Sequence, residues 1–297
     1  MSRSSEGHLL LASDRAGSTE DEAVEAARAV LAEAGPVQVV STGTSEELDR
    51  ALDNCGDRRL VVAGGDGSLH LAVRRLRARG ELAERPIALV PLGTGNDLAR
   101  ALDLPLDPAE AARLVLTGRP VPMDLLVDDA DGIVVNAVHV GVGAEAGARA
   151  GRLKPLLGLL AYPFGAVAAG LRSTGWRLRV EVDGRVLADD HRRALMVGIG
   201  NGPSIGGGTV LLPGARPDDG LLDVLVSRAI GPLARVRYGK ALTAGTHLHD
   251  PDVRHARGRS VTVSGEPVAV NADGELGEQV TRRTWTVEPA CWSLLRP

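Results

Sequence analysis

Lysine is nearly absent. Of the 34 Lys and Arg residues in this 297-residue chain, only Lys154 and Lys240 are lysines. Neither lies near a glycine-rich turn, which excludes a P-loop, since G-x-x-x-x-G-K-[ST] needs its lysine beside the phosphates. Cysteine is equally scarce: Cys55 and Cys291 cannot build a disulfide framework and suit a reducing compartment. A basic excess is missing too, and a net charge of −4 argues against general affinity for nucleic acid. No internal repeat or low-complexity linker is visible. The amino terminus, "MSRSSEGHLLLASD", has only a short apolar run before Asp14, so no signal peptide is expected.

What is present is a soluble, globular composition, 44% hydrophobic and 24% charged, with length for one large or two medium domains. The first third alternates strand and helix. "HLLLAS" reads as a strand, and Thr19-x-x-Glu22 offers a capping box for a helix through Ala34, with Val24, Ala27 and Leu31 on one face. "VQVVS" and "SEELDRALDN" form the next pair. "RLVVAG" runs into Gly64-Gly65-Asp66-Gly67-Ser68 and a helix ending at Gly80. "PIALVPLGTGND" repeats the arrangement, with a helix from about Asn96. Four such alternations predict a doubly wound, mostly parallel, Rossmann-like sheet whose ligands sit beyond the carboxyl ends of the strands.

From about residue 121 the pattern turns to strands: "GIVVNAVHV", "WRLRVEV", "ALMVGIG", "LLDVLVS", "SVTVSG" and "PVAVNA". Asp183-Gly184 and similar pairs favour hairpins. The fold class is therefore α/β plus β, the second part an antiparallel β-sandwich with a helical insertion at about 144–172. The α/β domain is expected over 1–122 and the β-rich domain over 123–285.

Glycines at a strand's carboxyl end let backbone N–H groups approach an anion, and the following helix start favours negative charge. Asp66 inside such a loop would repel bare phosphate, so it has a magnesium or hydrogen-bonding task, or it simply caps its own helix. "GTGNDL" follows a later strand and lacks a third glycine, so it is no dinucleotide fingerprint.

"GGDGS" (64–68), "PLGTGNDLAR" (91–100), "GGGTVLLPGARPDDGLLDV" (206–224) and "NADGE" (271–275) form an ordered series. It resembles the diacylglycerol kinase catalytic-domain family, which includes sphingosine and ceramide kinases and is distantly similar to NAD kinases. The likeness is strongest to soluble bacterial diacylglycerol kinases and covers nearly the whole chain. The resemblance implies ATP and Mg2+ as cofactors. It implies nucleotide contacts at Thr42, Gly64, Gly65, Asp66, Gly67, Ser68, Thr94, Gly95 and Asn96. Asp124 matches an aspartate linked to magnesium through water. A structural magnesium site matches the Asp219 carboxylate with the carbonyls of Arg216 and Leu221, although Asp218-Asp219-Gly220 also reads as a hairpin turn. Asp273 and Glu275 both qualify as the general base, and the sequence leaves the choice open; the same stretch also reads as an Asp-Gly turn at the surface. In the family pattern the last segment, 286–297, returns to the first domain.

Two departures stand out. "SDRAGS" (13–18) replaces the Asn-Pro-x-Ser-Gly-like turn of relatives, and His70-Leu71 replaces Asn-Glu after the glycine loop. His70 is read as a helix-face histidine facing its neighbours. Between Lys154 and Arg172 lie seventeen uncharged residues, too broken by Pro163 and glycines for a clean membrane crossing. They read as a buried helical pair or an apolar slot for acyl chains, with Arg149, Arg152 and Lys154 near anionic headgroups. His247, His249 and His255 lack a zinc signature and read as part of a solvated loop; "DDADG" (128–132) reads as a turn. The expected reaction is ATP-dependent phosphorylation of the hydroxyl of diacylglycerol or a related lipid, giving phosphatidic acid for phospholipid metabolism. It implies a cytoplasmic protein, peripheral to the inner face of the membrane, and is compatible with a homodimer. An NAD kinase-like enzyme and a non-catalytic lipid- or nucleotide-binding protein are the alternatives.

Overall fold

In a computed structural model of the chain, the described residues are 7–13, 18–142 and 174–297. Most of the stretch 13–18 and the segment expected as a helical insertion, with Arg149, Arg152 and Lys154, lie outside them. The chain forms two compact units, Met1–Met123 with Ala290–Pro297, and Asp124–Pro289.

The first unit alternates β1 (His8–Ser13), α1 (Ser18–Ala32), β2 (Val37–Thr42), α2 (Ser45–Asp53), β3 (Arg59–Gly64), α3 (Asp66–Ala78), β4 (Ile87–Pro91), α4 (Asp97–Ala101) and α5 (Pro108–Thr117). β2, β1, β3 and β4 lie in that order, all parallel. The end of the chain adds a parallel neighbour to β4 at Leu294 opposite Ile87. The inner strands are near-continuous apolar runs, Leu9–Leu11, Leu60–Ala63 and Ile87–Val90, all buried, as strands covered on both faces must be. The edge strand β2 is half-exposed along its length. α1 and α5 pack together over Leu10, Val61, Ala63, Ala88 and Val90, one face of the sheet. α3 packs on β3 and against α2.

Local signals explain the helix starts. Thr44 and Glu47 make a reciprocal capping box before α2, with the Glu47 N–H 3.2 Å from the Thr44 hydroxyl. Asp107 accepts the Glu110 N–H at 2.9 Å, with Pro108 at the first helical position of α5. α1 begins at Ser18 and ends at Ala32, so Thr19 lies inside its first turn rather than at its cap, and the helix stops two residues before Ala34.

The second unit begins within β5 (Arg119–Asp128) and continues through β6 (Ile133–Val134), β7 (Ala137–Gly141), β8 (Trp176–Val182), β9 (Arg185–Ala188), β10 (Arg193–Ala194), β11 (Met196–Gly200), β12 (Ser204–Ile205), β13 (Thr209–Val210), β14 (Leu222–Ser227), α6 (Pro232–Thr243), β15 (Val253–Gly258), β16 (Ser260–Ala272) and β17 (Glu275–Arg296). Antiparallel pairing runs β15-β14-β11-β7-β16, and β16 pairs with β17. Val140, Val180, Ile199, Val224, Val263 and Trp285, the last 1% exposed, share one core.

"SVTVSG" and "PVAVNA", read separately in the sequence, are one strand, β16. Its pairing with β17 shifts register between Ser264 and Val268. On one side of that shift it pairs with β8 and on the other with β7, so the irregularity hands one strand from one set of neighbours to another. Gly265 at the shift has φ 141, and a Cβ there would meet the Arg177 carbonyl at 2.1 Å. Pro267 is tolerated because the ladder is already broken.

The solvated loop expected around the histidines is in fact structured. Residues 253–258 form β15. His247 is fully buried, its Nε2 2.7 Å from the Leu211 carbonyl and its ring edge-on to Tyr238. Arg237 of α6 pins this region through Asp250, at 2.8 and 2.9 Å, and Asp252. Only His249 and His255 are exposed.

Candidate functional site

In the first unit the two glycine turns follow β3 and β4, adjacent parallel strands, and so open at the same end of the sheet. They touch glycine to glycine. A Cβ on Gly93 would lie 2.6 Å from the Gly65 Cα, and one on Gly65 would lie 3.0 Å from the Gly93 Cα. Asp66 does not cap its own helix: α3 has Gly65 at its N-cap and no side-chain cap. Its carboxylate instead reaches across and accepts the N–H groups of Asp97 and Leu98, at 3.1 and 3.3 Å. α4 needs those acceptors, because its own N-cap, Asn96, sits in the left-handed region (φ 52) and contributes no side-chain cap. Asp66 therefore ties the second loop to the first.

Two features suit the phosphates of a nucleotide, and a third offers an acceptor to its hydroxyl or amino groups. The N-cap of α3, Gly65, has no side chain to compete with an anion for the first-turn amides. A Cβ on Gly67 would meet nothing within 4 Å, so no protein atom demands that glycine and the space above it is open. The Asn96 side chain donates to the Gly93 carbonyl at 2.7 Å while its buried Oδ1 has no partner among the described residues. Ser68 lies against Gly64, Thr94 is exposed, and Gly95 accepts the Arg100 Nε at 3.0 Å. Arg100 is a cation beside the second loop that motif reading passed over. Thr42 ends β2, its hydroxyl 3.4 Å from the Ala12 carbonyl. His70 is buried on the inward face of α3.

In the second unit, Asp273-Gly274 joins β16 to β17. Asp273 at φ 47 and Gly274 at φ 91 make a two-residue turn of the primed type that fits the twist of a hairpin. The Asp273 carboxylate accepts three backbone N–H groups, from Val135 at 2.6 Å, Asn136 at 2.9 Å and Ala137 at 3.0 Å. It holds the link between β6 and β7, which breaks "GIVVNAVHV" into two strands. Glu275 opens β17 with an exposed side chain. Beneath the turn, burial drives the His139 imidazole down to about 4, an effect the Asp273 charge only partly opposes. His139 stands opposite Asn271 in the β7–β16 pairing.

Asp124 is 2% exposed. Its N–H donates to the Pro217 carbonyl at 2.8 Å and its Oδ2 accepts the Gly220 N–H at 2.6 Å. It clasps the 217–220 turn, and the Asn201 amide in turn holds the Asp124 carbonyl at 3.0 Å. Where the Asp219 carboxylate and the Arg216 and Leu221 carbonyls are expected to hold magnesium, protein groups engage that carboxylate. One Asp219 oxygen accepts the Leu221 N–H at 3.1 Å, and the other is paired with the Arg257 guanidinium. Arg257 also donates to Asp223 at 3.0 Å, whose carboxyl burial pushes upward against the pull of that arginine. The Arg216 side chain turns to Asp218. Arg257, Asn201 and His139 escape sequence reading because strand pairing or burial, and not chain spacing, brings them to these positions. Among the described residues no group of three or more His, Cys, Asp or Glu is placed to hold a metal ion.

The diacylglycerol kinase catalytic domain description matches residues 8–127, and the YegS C-terminal NAD kinase beta sandwich-like domain matches residues 136–296. The chain is 35% identical over 243 residues to a probable lipid kinase YegS-like of Stenotrophomonas maltophilia, covering 78% of this chain and 75% of that one. It is 30% identical over 224 residues to a diacylglycerol kinase of Staphylococcus carnosus, covering 74% and 71%. A crystal structure of a diacylglycerol kinase from Bacillus anthracis superposes with a TM-score of 0.70 at 19% identity, over 98% of this chain and 97% of that one, a likeness of fold. On both domain matches and these identities, the chain belongs to the diacylglycerol kinase catalytic-domain family, in its YegS-like branch.

Proposed function

We propose that this protein is a lipid kinase that transfers the γ-phosphate of ATP to the hydroxyl of diacylglycerol or a related lipid, giving phosphatidic acid or its analogue. The observation that carries the reading is the pair of lysine-free glycine turns, Gly65 against Gly93, bound together by Asp66. In this reading the α3 amides and the open space at Gly67 receive the nucleotide phosphates, and Arg100 supplies nearby positive charge. The helix-flanked sheet of the first unit acts as a doubly wound nucleotide fold, with ligand at the carboxyl ends of its strands. A divalent ion travelling with ATP would neutralise phosphate charge.

For the acceptor, Glu275 is the better general base. The lipid oxygen forms a bond to the γ-phosphorus, the bond from that phosphorus to the departing ADP breaks, and a carboxylate takes the hydroxyl proton. Asp273 accepts three backbone N–H groups, and turning it toward a substrate would strip all three of their partner. Glu275, two residues on, is exposed to solvent. Asp273 is then a positioning residue that fixes the hairpin on which Glu275 stands. Because the acceptor resides in a membrane, the enzyme would work at the inner membrane surface. No helix among the described residues is long and apolar enough to cross one.

The test is transfer from γ-labelled ATP with magnesium into diacylglycerol, ceramide and undecaprenol in mixed micelles, with NAD in a parallel reaction. Label in a lipid is expected. Label in NAD alone, or in nothing while nucleotide still binds, would contradict the reading.

A further inference from the structure

We propose that the 216–221 turn is held by an internal cation, the Arg257 guanidinium, in the place where family resemblance puts magnesium, so that the second unit folds without divalent metal. Arg257 on β15 stands directly opposite Asp223 on β14. Its Nε donates to the Asp223 Oδ2 at 3.0 Å, and a terminal nitrogen pairs with the Asp219 Oδ2. One planar fork therefore spans two carboxylates four residues apart, a geometry suited to arginine. The second Asp219 oxygen accepts the Leu221 N–H. Magnesium demands a nearly octahedral oxygen shell at ~2.0–2.1 Å. An ion bound to Asp219 would share that carboxylate with a guanidinium and meet its positive charge at a few ångströms.

The turn also has a second clasp in which no metal takes part, the Asp124 bonds to Pro217 and Gly220. Asp223, only 8% exposed, needs a compensating charge, and Arg257 provides one that no proton loss can remove. Lysine could not have replaced it: an ammonium is a point charge without the fork that reaches both acids. The inference holds whichever lipid accepts the phosphate, and its test does not use activity.

The experiment is thermal unfolding of the nucleotide-free full chain in EDTA and in magnesium chloride, with ionic strength matched by sodium chloride, together with metal analysis of the dialysed protein. Wild type should keep the same Tm in both and retain no stoichiometric magnesium. Arg257→Met, which keeps the stem and removes the charge, should lower Tm in EDTA by roughly 5 °C or more. Stoichiometric magnesium in the wild type, a wild-type Tm that rises on adding it, or an Arg257→Met protein as stable as wild type would each overturn the proposal. If the variant does not fold, the metal analysis and Tm comparison of the wild type decide by themselves.

Discussion

Two hairpins in the second unit carry the same dipeptide. Asp183-Gly184 joins β8 to β9, and Asp273-Gly274 joins β16 to β17; both have positive φ at both residues, 48 and 74 in the first, 47 and 91 in the second. In both, the aspartate carboxylate gathers N–H groups from another segment, Arg259 and Ser260 for Asp183, and Val135, Asn136 and Ala137 for Asp273. Only the second lies in a family motif. The Asp-Gly pair is thus a structural device common to both hairpins, and the difference lies in what surrounds it. Asp183 is exposed and followed by Arg185, whereas Asp273 is half-buried above His139 and followed by Glu275.

That comparison can be broken most forcefully at Glu275. Glu275→Gln should cut turnover by about 10²–10⁴-fold with unchanged Tm, while Arg185→Gln at the corresponding place in the other hairpin should leave turnover alone. Next in size, Asp273→Ala should cost on the order of 3 kcal/mol by stripping three N–H groups of a charged acceptor. Asp183→Ala should cost only about 1 kcal/mol, because its donors reach water; denaturant unfolding of both variants measures the contrast.

Acid sharpens it further. The unfolded chain protonates His139 near 6.5, the folded one only near 4. Between those values the unfolded state binds more protons, so this contribution, about 3 kcal/mol, is intact above pH 6.5 and is lost as pH falls toward 4. His139→Gln should flatten that part of the stability–pH curve. The smallest effect belongs to the first unit: Asp66→Ala should cost about 1 kcal/mol through the lost cap of α4. It should also weaken nucleotide binding, read by calorimetric titration.

Much of this was legible in the residues. The parallel half announces itself in contiguous apolar runs that end at glycines, because strands covered on both faces have no polar positions to blur them. β16 was harder: Gly265 and Pro267 look like punctuation, and only the change of partners explains why the strand runs on. β15 hid because its Arg and His side chains point outward, leaving Val253 and Gly258 as its buried ends. α6 gave no stripe, since Leu233 and Val236 face solvent and Tyr238 is its one fully buried side chain. The glycines of the candidate site were visible, but the partners of its aspartates were not. Asp66 bonds to residues thirty-one and thirty-two positions away, and Asp273 to residues 136–138 positions away, distances that no local pattern encodes.

The division of labour within "NADGE" is tested most directly by measuring phosphate transfer and Tm together on Glu275→Gln and Asp273→Asn. The account predicts that Glu275→Gln loses turnover at wild-type Tm and that Asp273→Asn has a lowered Tm. An Asp273→Asn protein that keeps the wild-type Tm but loses turnover, beside an active Glu275→Gln, would contradict it.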